Sequence, residues 1–386
     1  MTNKNKLSVV QADKGGAILL VIPDLIRKKV LEKLEDPQIY SKLDEDPLIR
    51  LKKEVFEIWK VGKLQNFVSE KMAYEIGGVT ENNNMSTHPC FKPGIPYFYP
   101  LLKIHKLRKD DLKPGVEPPA RLVTSLRDGV AKRSDVFIAD RFLKQLEKDY
   151  CKDLLGDTSS ALRWLDSLNQ SLSPETKKKI NFFTFDFKAL YDSLDPNLVK
   201  DAVKYAMDTC RPDWSDEQKQ WIISLIDFSL RASVAKYDGK WWKQKNGIPT
   251  GGSLCVQLAN IAVYYVMSQK VYNVPHMMIN VSNVMRFIDD GTGLYYGTEE
   301  EFFEWLRMVN IEIGMFGLHI DEASFKKNSE FINFLDIKYC FDSEGELQTD
   351  LFVKETDSRS YLNFSSAHEN HTFLSLIHIS EPTRPY

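Results

Sequence analysis

Two adjacent carboxylates, Asp289 and Asp290, sit in the stretch MRFIDDGTGLYY, between an apolar run and a second run rich in Leu and Tyr, with Gly291 directly after them. A third, Asp186, lies near the end of an otherwise apolar, β-forming run, INFFTFDF. Carboxylates brought close together repel strongly unless divalent cations sit between them. Oxygen-only ligands suit magnesium, which keeps waters and substrate phosphates in its remaining octahedral positions. Two such ions, about 3.5–4 Å apart, stabilise both the attacking and the leaving oxygen of an in-line displacement at phosphorus. The chemistry open to this set is therefore nucleotidyl transfer, on one condition: the strands carrying Asp186 and Asp289 must be neighbours in one sheet. Taken alone, Asp289 and Asp290 read as solvated turn formers, and only the company of Asp186 and the other motifs changes that reading.

The elements that must position these groups follow from local pattern. Residues 285–296 read as strand, tight turn, strand, with Asp and Gly supplying the turn dihedrals and the carboxylates at the tip. Residues 247–260, GIPTGGSLCVQLAN, place Gly251 and Gly252 just before a long apolar helix reaching about Tyr272. Paired glycines at that junction let backbone approach a ligand closely, and a helix N-terminus favours anions. Residues 97–129 set Lys103, His105, Lys106, Arg108 and Lys109 beside aromatics, then return through a proline-rich turn to Arg121 on a short strand. Such a ribbon could meet phosphates, Arg121 with planar, forked hydrogen bonding, or be a solvated charged hairpin.

Helices are expected at 24–35, after an Asp46–Pro47 cap with Gly62 ending or kinking it, at 134–150 and 158–168, after Asp195–Pro196, after a Ser215/Gln218 capping box, and at 299–314. Residues 77–94 read as a loop or finger tip, in which His88 and Cys90 lack the two further ligands a metal site needs. Tyr237-Asp238-Gly239-Lys240 reads as a hairpin turn, and residues 331–341 and 347–353 as a hairpin around Asp342–Gly345.

Composition bounds the reading. The chain of 386 residues, 43% hydrophobic and 12% aromatic, can bury a core of two or three lobes. A net charge of -3 argues against a uniformly basic nucleic-acid coat, but 51 Lys and Arg against 54 Asp and Glu leave room for a basic groove. Cys90, Cys151, Cys210, Cys255 and Cys340 are scattered without a CxxC pair, which suits reduced thiols in a cytosolic or nuclear protein. No signal peptide opens the chain and no apolar run approaches membrane-spanning length.

In that order, FTFDFKALY, GIPTGGSLCVQLAN and MRFIDD resemble motifs A, B and C of the reverse-transcriptase palm, and the ribbon carrying Lys103 and Arg121 resembles the basic finger motifs. More narrowly, ADKGGAILLV, LLKIHK, FLDIKYCF and LQTDLFVKETDSRSYLNFSSAHENH are similar to the reverse-transcriptase domain of Penelope-like retroelements, and the resemblance covers nearly all of residues 12–371. It implies a mixed α/β (α+β) right-hand polymerase: fingers over 1–179 including the 97–129 ribbon, and a palm over 180–350 built on an antiparallel sheet packed against helices. The start of a thumb or connection would occupy 351–373, with most of the thumb missing.

The activity implied is that of an RNA-directed DNA polymerase extending a DNA 3′ end. Its partners would be an RNA template, a DNA primer or target and deoxynucleoside triphosphates, with two Mg2+ ions, or Mn2+ in their place, in the nucleus or cytoplasm and without a membrane. Residue by residue, Asp186 and Asp289 would hold the ions with Asp290 in support, and the carbonyl of Phe187 would be a further ligand. Tyr191 would be the bulky side chain that excludes a ribose 2′-hydroxyl, and Lys103 and Arg121 would contact the triphosphate. Gly251 and Gly252 would let the chain lie against nucleotide and template, and Lys326 or Lys327 would supply the proton for departing pyrophosphate. FLDIKYCF would match the primer-gripping hairpin.

Phe287 stands where related elements show Tyr, and Thr250 and Gln257 replace residues common in other palms, so template contacts are less defined than the carboxylates. Residues 374–384, LSLIHISEPTR, break the pattern and look like the in-frame translation of a synthetic sequencing-library adapter, making 374–386 a non-native tail. The natural chain would then continue into a thumb, and into the GIY-YIG-type nuclease that some relatives carry. An RNA-directed RNA polymerase shares the palm and metals, and a catalytically inactive RNA-binding relic would share the fold.

Overall fold

The computed structural model describes residues 7–13, 18–104, 107 and 116–353. Its centre is a four-stranded antiparallel sheet with the spatial order Ile320–Lys327, Asn181–Phe187, Asp290–Tyr295, Val281–Phe287. The sequence reason for the central strand is its alternation. Phe183, Phe185 and Phe187 point to one face and are buried in the main core, where Phe183 meets Phe302 of helix Glu299–Gly314 at 5.1 Å between ring centroids. The other face carries Phe182, Thr184 and Asp186. Phe182 is covered by Tyr339, at 4.9 Å between centroids, and Phe341 of a small three-stranded sheet. That cover stops short of Asp186, which reaches a cleft.

The neighbouring strand answers those phenylalanines with glycines. Gly291 pairs with Phe185 and Gly293 with Phe183, and a Cβ on Gly291 would lie 2.1 Å from the Phe185 ring. The expectation that Gly291 serves the turn is therefore corrected: it sits inside strand Asp290–Tyr295, where only the lack of a side chain admits the ring. Gly62 is corrected in the same way. Helix Leu48–Leu64 runs through it, and its lack of a side chain makes room for the Trp221 indole, which a Cβ there would approach to 2.6 Å.

Behind the sheet, helices Pro196–Cys210, Asp216–Arg231 and Cys255–Met267 pack together through small and aliphatic residues, among them the buried Ala202, Ala206, Leu258 and Ala262. Asp195 caps the first of these with hydrogen bonds from the Asn197 and Leu198 amides, and Ser215 caps the second, as expected. The helix expected at 134–150 is interrupted by a π-turn at Ala139–Leu143, and the one leading to Tyr272 ends in another at Ser268–Tyr272.

A second, five-stranded sheet runs in the order Tyr40–Leu43, Lys240–Gln244, Val234–Tyr237, Tyr97–Leu102, Ala120–Ser125. The basic ribbon is thus its edge, and the Asp238–Gly239 turn, with φ of 50° and 75°, forms the hairpin inside it. Residues 331–341 divide at Leu335, φ 55°, into Ile332–Phe334 and Ile337–Phe341. Strand Ile320–Lys327 was not anticipated. The architecture is the expected mixed α/β one, with antiparallel sheets packed against helices. Among the described residues no helix is long and apolar enough to cross a membrane. His105, Lys106, Arg108, Lys109 and residues 354–386, including the expected thumb start and tail, lie outside the described residues.

Candidate active site

Asp186 and Asp290 are direct cross-strand partners on the two middle strands of the central sheet. In such a pair both side chains stand on one face. Asp289 belongs to the two-residue turn Ile288-Asp289 that joins Val281–Phe287 to Asp290–Tyr295. The turn's positive φ falls on Ile288, at 56°, an uncommon conformation for a β-branched residue. Its two carbonyls are held from behind: that of Ile288 accepts from Arg286 Nη1 at 2.7 Å, and that of Asp289 from the Phe187 amide at 3.1 Å.

These carboxylates open into a cleft of about 540 Å³ between the central sheet and the basic ribbon. The cleft brings together Asp186, Phe187, Tyr191, Asp289, Asp290, Lys103 and Arg121, all singled out in the sequence. It leaves out three others. Gly251, φ 109°, makes its close approach to the ribbon, since a Cβ there would lie 2.6 Å from the Thr124 carbonyl. Gly252 abuts Cys255, and Thr250 is the residue of that loop which lines the cleft. Lys326 pairs with Phe182, four positions along the strand from Glu322, which pairs with Asp186. That spacing sets Lys326 roughly 13 Å from the carboxylates along the strand.

Five functional candidates escaped the sequence, one of them Lys33, which lines the cleft. Glu322 and Asp321 add acid beside Asp186, and their strand went unread because its apolar alternation is short. Lys188, two residues after Asp186, lines the cleft with its Nζ 3.4 Å from Asp321 Oδ1. Asp13, buried to 3% side-chain exposure, places Oδ1 3.2 Å from Arg121 Nε. The Asp13 amide donates to the Leu102 carbonyl at 3.0 Å, which ties the segment ADKGG to the ribbon. Its only signal was an acid in a glycine-containing turn.

The cleft is lined by both signs of charge: Asp186, Asp289, Asp290, Asp321 and Glu322 at the sheet end with Lys188 paired to Asp321, and Lys103 and Arg121 on the ribbon, with Lys33 also in the lining. Tyr191 is pushed up to about 12 by burial, so its ring meets the cleft as a neutral phenol. Its carbonyl accepts the Ile248 amide at 2.7 Å, which hooks the glycine-containing loop to the short helix Leu190–Ser193 that follows the central strand. Asp192 is raised by burial, with Lys33, Lys103 and Arg121 opposing the shift. On the other side, Asp186, Asp290 and Glu322 also border a hollow of about 240 Å³ facing Asn333, Phe334 and Leu335. The acids are therefore reached from two directions.

The donor set is carboxylate oxygen with the adjacent Phe187 backbone, which suits a hard divalent cation. Among the described residues no three His, Cys, Asp or Glu side chains form a ready-made ligand cage. A hard divalent cation held by so few side chains would take its remaining ligands from water and substrate phosphates.

No family model matches the sequence, and no curated protein does. Solved structures do match in three dimensions. One of apo telomerase from Candida tropicalis, truncated from its C-terminal domain, aligns with TM-score 0.54 at 11% identity, over 89% of this chain and 63% of that one. One of telomerase from Candida albicans with a TWJ fragment of telomeric RNA aligns with TM-score 0.59 at 8% identity, over 91% and 55%. The fold is reverse-transcriptase-like. A further Candida tropicalis telomerase structure, also with a TWJ fragment, aligns over 96% of this chain and 55% of that one with TM-score 0.56 at 11% identity. At such identities the likeness is one of fold, and the chain spans little more than half the length of most of these reverse-transcriptase-like proteins.

Proposed function

We propose that the chain is an RNA-directed DNA polymerase of a Penelope-like retroelement, extending a DNA 3′ end on an RNA template. The observation that carries the reading is the cross-strand pairing of Asp186 with Asp290, beside Asp289, at the floor of a cleft whose facing wall holds Lys103 and Arg121. Bound at Asp186, Asp289 and the Phe187 carbonyl with Asp290 in support, two magnesium ions would activate the attacking hydroxyl and neutralise the leaving phosphates.

The chain's own groups do the rest. Lys103 and Arg121 bind the triphosphate, Arg121 with its guanidinium oriented by Asp13. Tyr191 closes the floor under the sugar and rejects a 2′-hydroxyl. Lys33 and Lys188 line the cleft and are better placed than Lys326 to protonate departing pyrophosphate. The hollow toward Asn333 and Leu335 suits a primer end, in keeping with the resemblance of FLDIKYCF to a primer-gripping hairpin. The telomeric RNA fragment held by the structural neighbours supports an RNA template here. Action in the nucleus or cytoplasm, and a non-native origin for residues 374–386, belong to the same reading; ordinary genomic sequence across those codons would remove the latter.

The test is primer extension on an RNA template with deoxynucleotides and Mg2+. Extension by the parental chain and none by Asp289→Ala is the expected result; equal extension by both would overturn the assignment. An RNA-directed RNA polymerase would instead extend with ribonucleotides, and a relic would bind RNA without extending.

A further inference from the structure

We infer that Arg286 is a positioning residue that holds the Asp289 turn in register with Asp186, an inference that rests on the polymerase reading. Arg286 lies in strand Val281–Phe287 and is fully buried. Charge compensation alone would need one partner, and Asp153 supplies it, with Oδ2 3.3 Å from Nε and Oδ1 3.5 Å from Nη2. The remaining donors go elsewhere. Nη1 donates to Asn260 Oδ1 at 3.2 Å and to the Ile288 carbonyl at 2.7 Å, and Nη2 donates to the Asn260 carbonyl at 3.1 Å. Asn260 in turn donates from Nδ2 to Glu147 at 2.6 Å, and Tyr272 donates its hydroxyl to Asp153 at 2.8 Å.

One planar fork thus joins three pieces of chain: the segment at Asp153, the middle of helix Cys255–Met267, and the first residue of the turn. That residue, Ile288, is the one with positive φ. A backbone conformation of this kind persists only when its surroundings over-determine it. Here the Arg286 guanidinium fixes the Ile288 carbonyl and the Phe187 amide fixes the Asp289 carbonyl, so the Asp289 side chain leaves a turn anchored at both residues. Backbone pairing of Arg286 with Asp153 and Leu155, at 2.6 and 2.7 Å, keeps the fork from drifting. Lysine would keep the charge but not the fork.

The test uses the full chain as Arg286→Lys and as the charge-neutral pair Arg286→Met with Asp153→Asn. Four quantities are read: thermal midpoint, Mn2+ affinity by electron paramagnetic resonance without substrate, and kcat and KM for deoxynucleotide in primer extension. Displaced supporting partners of metal ligands typically cost about 10–100-fold in affinity or activity. The expected result is a folded protein with Mn2+ affinity and kcat both reduced by about that factor and KM for deoxynucleotide close to parental. Folded variants with parental Mn2+ affinity and kcat would overturn the inference. So would loss of folding in both variants, which would make Arg286 a structural keystone only. A parental chain that binds Mn2+ yet extends no primer overturns the polymerase reading, and the Mn2+ measurement still decides this one. A parental chain that binds no Mn2+ overturns both.

Discussion

Asp290 stands directly opposite Asp186 across the middle of the central sheet. In antiparallel pairs, opposed Cβ atoms lie about 4.5–5.5 Å apart, and like charges so placed are destabilising by up to about 1 kcal/mol. On the proposed function, stability and activity therefore pull in opposite directions at this pair. Asp186→Asn and Asp290→Asn are each expected to raise the thermal midpoint in EDTA. In Mg2+, Asp186→Asn should lower primer extension by about 10³-fold, corresponding to several kcal/mol of lost transition-state stabilisation. Calorimetry in EDTA beside extension rates in Mg2+ checks both signs.

Tyr191 presents a neutral ring to the cleft, while its backbone carbonyl is independently held by the Ile248 amide. Removing the ring should leave that backbone anchor in place. Tyr191→Ala is expected to raise ribonucleotide over deoxynucleotide incorporation by roughly 10²-fold, the scale of a steric pocket's discrimination. Competition between the two sugars in single-nucleotide extension measures it, and an unchanged ratio would remove the sugar-excluding role.

Arg121 meets the cleft half-exposed while its partner Asp13 is almost wholly buried. The buried acid is thus the fixed member of the pair, and the guanidinium the oriented one. Arg121→Lys and Asp13→Asn should each raise KM for deoxynucleotide about 10-fold through loss of the forked geometry, with kcat changing less. A fall in kcat with KM unchanged would place Asp13 outside triphosphate binding.

What could be read from the sequence was local. Asp195, Ser215 and the Asp238–Gly239 pair announce caps and a turn because their side chains or dihedrals satisfy nearby backbone, and each does so in the structure. The strand INFFTFDF and the hairpin at Asp289 were legible for the same reason. Glu322 was not, because a strand at the edge of the sheet, with burial on only a few residues, carries little period-2 signal. Gly291 and Gly251 were noticed, but not the groups of this chain packed against them. Their need for no side chain comes from the Phe185 ring and the Thr124 carbonyl, distant in sequence and brought near only by packing.

That packing makes Gly291 a test of the sheet itself. A methyl group 2.1 Å from the Phe185 ring cannot be accommodated unless the ring or the strand moves, and the ring is buried in the main core. Gly291→Ala should cost about 1–3 kcal/mol, the usual penalty of overpacking. The companion Gly291→Ala with Phe185→Leu should recover part of that loss. Urea unfolding of the two variants decides it, and full stability in the single variant would show that the ring does not occupy that space.

Asp135 supplies a dependence on pH away from the cleft. Its carboxyl is buried on helix Lys132–Ile138, and burial raises it to about 7, with Ser229 and Lys132 only partly offsetting that and the nearby Cys255 being buried as well. The folded value exceeds the ordinary carboxylate value of 3.8, so folding favours the protonated form. The stabilisation that results is complete below about pH 4 and is lost as pH rises to about 7, above which the unpaired charge must be held in the core. A shift of that size is worth at most about 4 kcal/mol at 1.36 kcal/mol per unit. Asp135→Asn, neutral at every pH, should therefore be close to parental in stability at pH 4, more stable at pH 8, and flatter between. Urea midpoints of both proteins at the two pH values test the sign, and an Asn variant weaker than the parent at pH 8 would mean that the charged form is compensated in the fold.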